Sequence, residues 1–302
     1  MEEKVFHIPV LPKETIEFLS PAPGEIFVDC TLGGGGHAEK ILKRIGPSGK
    51  LVGIDCDPEA IRESQKNLAR FKDQVIFVND NFINLKNILQ NLNISGIDGI
   101  LFDLGVSWHQ LETPERGFSL KEKGMDASLD MRMNPAQQFK AYDIVNFYPE
   151  KKLRELFFKL GEEPFGGKIA REIIRARDRK KIKTCGELLD LIRRATPPDY
   201  RFSRKGHWAT KTFRALRMEV NQELPTLEET LPQALEVLKP GGRLVVISFH
   251  SLEDRIVKHQ FLEWQKSDLV EILTKKPVMA TPEEILENPR ADSAKLRAIK
   301  KN

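Results

Sequence analysis

The stretch VDCTLGGGGHAEKIL, residues 28–42, sets four consecutive glycines between an apolar run and the start of a helical pattern. Gly33, Gly35 and Ala38 fit the spacing G-x-G-x-x-G/A, which bares backbone for a close ligand approach at a strand-to-helix turn. Asp55 ends the next apolar run, KLVGID, about 20 residues further on, where an acid can accept hydrogen bonds from ribose hydroxyls. Two further segments bring polar groups to the ends of apolar runs. DLGVS (103–107) offers Asp103 and Ser107, and SFHS (248–251) offers Ser248 and His250. Metal or disulfide chemistry has no comparable pattern: Cys30, Cys56 and Cys185 form no C-x-x-C pair, and the six histidines show no ligand spacing. No metal is expected.

Such groups need a frame. EIFVDC (25–30), KLVGID (50–55), QVIFVN (74–79), DGILFDL (98–104) and GRLVVISF (242–249) read as strands. They are near-continuously apolar, as strands covered on both faces are. Helical patterns separate the first four: HAEKILKRI, PEAIRESQKNLARF and INLKNILQNL. Alternating strands and helices predict an α/β fold with a doubly wound, mostly parallel sheet. The glycine loop then names a nucleotide-containing ligand without naming a reaction. A nicotinamide-dependent dehydrogenase and an S-adenosylmethionine methyltransferase both use it, and a non-catalytic RNA-binding protein on the same fold is a third reading.

The fifth strand comes late, and residues 112–208 read as helices and loops, so an inserted helical domain is expected. The predicted division is 1–111 with 209–302 for the sheet domain and 112–208 for the insert. Charge separates the two. Residues 112–215 hold 24 Lys and Arg against 15 Asp and Glu, a balance of +9, so in a chain of net charge +4 the remainder stands at −5. The run from Lys168 to Lys183 is the densest basic segment, and HWATKTFRALR (207–217) adds Lys211, Arg214 and Arg217. A basic module beside a mildly acidic sheet suits a phosphate backbone, with Trp108 or Trp208 available for stacking. No apolar run approaches a membrane span, and MEEKVFHIPVL carries no signal-peptide pattern, so no membrane association and a cytoplasmic place are expected.

Two features favour methyl transfer. LKPGGRLVVISF resembles the segment leading into the fifth strand of many S-adenosylmethionine-dependent methyltransferases, and DLGVS closes the fourth strand where those enzymes carry a reaction-site loop. Across the chain, HIPVL, TLGGGGH, GIDCDPEAI, DGILFDLGVS, RGFS, LDMRM, GEE, IAREII, HWATKTFRALR, VNQEL, PGGRLVVISFHSLEDRIVK and NPRADSAKLR together resemble the bacterial 16S ribosomal RNA (cytosine-N4) methyltransferase family, called RsmH or MraW.

That resemblance implies a Rossmann-like sheet domain with a helical RNA-recognition insert, and a methyl transfer from S-adenosylmethionine to the N4 amine of a cytidine in the decoding region. The partner it implies is 16S ribosomal RNA within the small ribosomal subunit. It further implies cofactor contacts from Gly35, Gly36, His37, Asp55, Phe82, Asp103 and Gln110. The N4 lone pair is delocalised into the ring, so acceptors for its protons help the nitrogen pyramidalise as it attacks. Asp103 ranks first among these, ahead of Ser107, Ser248 and His250. Methylation of a ring carbon is disfavoured, because DLGVS and SFHS lack the cysteine nucleophile it needs.

Overall fold

The computed structural model describes residues 9–120, 124–202 and 206–302; His7 and Ile8 of the HIPVL signature lie outside them. In chain order the elements are α1 (Pro12–Leu19), β1 (Ile26–Asp29), α2 (Gly36–Ile45), β2 (Lys50–Asp55), α3 (Pro58–Asn67), β3 (Val75–Asn79), α4 (Leu85–Asn91), β4 (Ile97–Asp103), α5 (Trp108–Glu112), α6 (Ala141–Phe147) and α7 (Glu150–Lys159). There follow α8 (Gly166–Arg177), α9 (Cys185–Ala195), α10 (Pro198–Phe202), α11 (Thr210–Asn221), α12 (Glu223–Val237), β5 (Leu238–Ser248), α13 (Ser251–Lys266), β6 (Val270–Ile272), α14 (Pro282–Glu287) and β7 (Lys295–Lys301). Among the described residues no helix is long and apolar enough to cross a membrane.

The chain divides into two compact units, Met1–Ser107 with Leu224–Asn302, and Trp108–Glu223. All seven strands belong to the first, in the order β3-β2-β1-β4-β5-β7-β6. The first five run parallel, while β7 pairs antiparallel with both β5 and β6. Alternate residues feed opposite faces. Val28, Val52, Ile54, Ile100, Phe102 and Val246 pack with side chains of α4, α12 and α13, whereas Phe27, Leu51, Leu101, Val245 and Ile247 pack with those of α1 and α2. Burial on both faces is what the unbroken apolar runs require.

Local chemistry ends the helices where the sequence places them. Asp57 caps α3 by accepting the Glu59 N–H at 3.0 Å, with Pro58 in the first turn. On α2, Ala38, Ile41, Leu42 and Ile45 form the buried stripe.

Two expectations change, and the last residues gain a structure that the sequence left unread. The Pro-Gly-Gly turn read as preceding the fifth strand lies inside β5, where the register against β4 shifts from Ile97↔Leu238 to Gly99↔Arg243. The last residues form β7, whose buried Arg297 donates through Nε to Asp254 of α13 at 2.6 Å. The insert is also larger than 112–208. Residues 108–111 and α11 cluster with the second unit, because Thr212, Phe213, Ala215, Leu216 and Met218 are buried in a helix that packs on α6 and α7. That helix spends its cations internally: Lys211 donates to Glu162 O at 2.6 Å, Arg214 to Gly161 O at 3.1 Å, and Arg217 grips both oxygens of Glu223.

Phe27 on β1 lies directly across from Gly99 on β4, and a Cβ at Gly99 would meet the Phe27 ring at 2.1 Å. Phe27 is fully buried and cannot yield without disturbing the core. Gly99→Ala should therefore destabilise the protein by about 1–3 kcal/mol, read as a lower urea midpoint. An unchanged midpoint would mean that β1 and β4 can part locally.

Candidate active site

The strand order reverses between β1 and β4, and in open α/β sheets ligands bind beyond the carboxyl ends of the strands at such a point. Three carboxylates stand there: Asp29 ends β1, Asp55 ends β2 and Asp103 ends β4. Asp55 and Asp103 were expected from the sequence. Asp29 was not, although an acid closing an otherwise apolar strand is a signal that could have been read.

The glycine loop between β1 and α2 is tied to strands on both sides. Cys30 N–H donates to Leu101 O at 2.9 Å, Leu32 N–H to Ile54 O at 3.0 Å, and Asp103 N–H to Thr31 Oγ1 at 2.6 Å. Asp55 accepts Gly33 N–H through Oδ2 and Asp57 N–H through Oδ1, each at 2.9 Å. Its carboxylate thus shapes the loop and starts α3, a role the ribose reading alone did not contain. The glycines differ in what they do. Gly33 has φ +52°, and a Cβ there would meet nothing closer than Thr31 O at 3.8 Å, so its backbone is approachable. Gly35, at φ +82°, is the N-cap of α2 and a Cβ there would press on Leu68, while Gly36 packs against Pro9. Among the described residues no side chain caps α2, so its first-turn amides and dipole face the carboxyl edge of the sheet as an anion-favouring end.

His37 follows on α2, buried, with Nε2 3.7 Å from Asp103 Oδ2. Asp103 itself is only 13% exposed, and its Oδ1 is buried with no hydrogen-bond partner among the described residues. Burial, and then the nearby charge of Asp29, push the Asp103 carboxyl up to about 8, against the opposing charge of Arg290. Burial likewise lifts Asp29 to about 7, opposed by the hydrogen bond it accepts from Thr31 N–H. A pair of desolvated acids, one with an unused oxygen, is built to receive a cation or a hydrogen-bond donor.

The other expected residues fall into three groups. Phe82 follows β3 at the same edge, in a short turn capped by Asn81, with its ring edge-on to Phe102 at 5.5 Å. His250 caps α13: its Nδ1 accepts Glu253 N–H at 3.4 Å, while its buried Nε2 lies 3.1 Å from Glu253 Oε1 without a hydrogen-bond partner among the described residues. Ser248 ends β5, buried, with Oγ 3.4 Å from Lys295 O. Ser107 is the last residue of the first unit before α12 rejoins it; Gln110 is buried on α5 in the second unit.

An Asp whose folded pKa exceeds its unfolded value keeps a proton that the unfolded chain has lost. Between about pH 4 and 8, Asp103 and Asp29 therefore subtract stability as pH rises. Asp103→Asn, a mimic of the protonated acid, should match the parent's urea stability near the low end of that window. It should gain on the parent by up to about 1.4 kcal/mol per pH unit towards the high end. A constant gap would mean that Arg290 and His37 neutralise the charge.

The model of the MraW methylase family matches residues 4–302. A ribosomal RNA small subunit methyltransferase H from Sulfurihydrogenibium sp. is 47% identical, covering 97% of this chain and 98% of that protein. One from Carboxydothermus hydrogenoformans is 46% identical, covering 98% and 97%. Among solved structures, an rRNA methylase from Streptococcus thermophilus aligns over 100% of this chain and 98% of that one, at 12% identity and a TM-score of 0.45. A match along almost the whole length, with glycine loop, DLGVS and SFHS each at a strand end of one sheet, settles the kinship: the chain belongs to the MraW methylase family.

Proposed function

We propose that the protein transfers a methyl group from S-adenosylmethionine to the exocyclic N4 amine of a cytidine in the decoding region of 16S ribosomal RNA, acting in the cytoplasm on the small ribosomal subunit. The observation that carries the reading is the cluster of strand-end carboxylates around a cross-tied glycine loop, in a chain of this family. The relatives' name supplies the small-subunit RNA.

The residues present fit the cofactor. When bound, S-adenosylmethionine supplies a methyl group on a positively charged sulfur. Asp55 accepts the Gly33 and Asp57 amides at the carboxyl end of β2, and a carboxylate held there is the acceptor type that ribose hydroxyls need. The unused Oδ1 of Asp103 suits a cationic group, and Phe82 offers an apolar ring for adenine. Gly33, Gly35, Gly36 and His37 supply backbone at the open end of α2.

Asp103 and Ser107 are the acceptors for the N4 protons. They align the amine and let its lone pair leave ring conjugation as the new N–C bond forms, after which the excess proton passes to Asp103 or to water. His250, whose Nδ1 caps α13 at this edge, stands behind them as the further acceptor. Neither a metal nor a strong base is needed, because the nitrogen formed on methylation is itself acidic.

Incubation with isotope-labelled S-adenosylmethionine and small-subunit particles, followed by nucleoside mass spectrometry, should place the label in N4-methylcytidine. Label in 5-methylcytidine, or preferential binding of a nicotinamide dinucleotide, would overturn the reading. Asp55→Ala should weaken cofactor binding by about 10- to 150-fold, since hydrogen bonds to a charged acceptor contribute about 1.5–3 kcal/mol. An unchanged calorimetric Kd would reject the ribose role. Because a bound cation favours the ionised acid, binding just below pH 8 should release up to about one proton. The release is read from binding enthalpies in buffers of different ionisation heat, and Asp103→Asn should reduce it.

A further inference from the structure

The basic run from Lys168 to Lys183 does not act as one surface. Lys168, Arg171 and Arg175 recur at helical spacing and share one face of α8. Past them the run leaves that face, and several of its cations reach other elements. Arg177 donates to Val145 O at 2.9 Å, Lys180 pairs with Glu187 at 2.8 Å, and Lys181 reaches Asn146 O and lies over the Phe147 ring. The α8 face lines a concavity of about 590 Å³ together with Arg193 and Arg194 from the end of α9 and Arg201 of α10. Glu172 is the one acid in its wall, against those six cations. Arg201 Nε is buried with no hydrogen-bond partner among the described residues, while Arg171, Arg175, Arg193 and Arg194 are exposed, Arg175 pairing with Glu172 at 2.8 Å and Arg193 with Asp190 at 2.9 Å.

A second hollow of about 500 Å³ shares Lys168 and Arg171 with the first. Its wall is aromatic: Phe158, 42% exposed, and Phe165, with the Arg154 guanidinium 5.9 Å from the Phe158 ring and Lys168 Nζ 5.4 Å from that of Phe165. Forked guanidiniums along a groove match phosphate oxygens, and aromatic faces beside them match bases. Single strands are held by that combination, whereas a duplex keeps its bases stacked inside.

We infer that these two hollows of the second unit form a track for single-stranded RNA, with the sugar–phosphate backbone in the arginine groove and a base against Phe158 and Phe165. The inference rests on the proposed RNA substrate and names where, on the insert, that RNA is held. The groove depends on helix α8 meeting the end of α9, so Arg193 and Arg194, which lie outside the basic run, matter as much as Arg171. Arg179, Lys180 and Lys181 contribute charge without lining it.

The test compares two triple variants of equal charge, Arg171→Gln/Arg193→Gln/Arg194→Gln in the groove and Arg179→Gln/Lys180→Gln/Lys181→Gln outside it. Binding of a labelled single-stranded RNA of decoding-region sequence is followed by anisotropy over a range of salt, and thermal melting checks the fold. The groove variant should lower the slope of log affinity against log salt by about 2, at about 0.7 per lost phosphate contact, and the outer variant should leave it near the parent value. Phe158→Ala should cut affinity by about 5-fold or more with the slope unchanged. Equal slopes for the two triple variants, or no loss in the groove variant, would overturn the track, and full affinity in Phe158→Ala would remove its base hollow. If instead the parent protein neither binds this RNA nor methylates the particles, the proposed function falls with it. Methylation by the parent with an unaffected groove variant refutes the track alone.

Discussion

The loop from Cys30 to Gly35 is held by its own backbone to β2 and β4 at once, and the rest of the site depends on that restraint. Cys30 and Leu32 donate to carbonyls on either side, Thr31 accepts from Asp103 N–H, and Gly33 donates to the Asp55 carboxylate. A loop tied in this way cannot drift. It fixes where α2 begins, which brings His37 to Asp103, and it keeps Gly33 in the left-handed region with its backbone approachable. Preorganisation of this kind lowers the ordering entropy that a ligand must otherwise overcome. It also makes Asp55 a structural and a binding residue together, so its removal is felt through the loop as well as through a lost acceptor.

Around that loop the protein maintains an unfavourable electrostatic arrangement. Asp29 and Asp103 are both buried, burial raises the proton affinity of each, the charge of Asp29 adds to that of Asp103, and Oδ1 of Asp103 has no hydrogen-bond partner among the described residues. A core assembled for stability alone would replace such acids with apolar groups of similar volume. Held as they are, they favour an entering cation over a neutral molecule, because the cation relieves the desolvation and repulsion that the free protein carries.

Much of the sheet was legible because parallel strands buried on both faces leave continuous apolar runs, and the acids that close β2 and β4 stand out at the ends of those runs. β7 was hidden for the opposite reason. In KLRAIKK the charges alternate with apolar residues, and Arg297 is buried only because Asp254 of α13 meets it. β6, at three residues, is too short to carry a pattern. Asp29 passed as an ordinary strand residue, since only burial shows that its carboxyl is desolvated. His250 looked available for proton transfer in SFHS, yet that spacing to Glu253 is equally a capping box, and the structure uses it so. The basic run was visible as composition. Its division by the helical period, and the share of the groove supplied by α9 and α10, depend on packing that no local window contains.

The two units meet opposite electrostatic demands by opposite physics. In the first, a few acids act strongly because they are desolvated, and ionic strength hardly reaches them. In the second, many arginines act weakly and singly because water surrounds them, and their effect on a polyanion is collective and screened by salt over about 8–10 Å. A chain with a net charge of only +4 can therefore hold a small cation and a long polyanion without either site cancelling the other. Burial sets the range of each charge, so the balance of +9 over residues 112–215 against −5 over the remainder becomes two separable interactions rather than one averaged field.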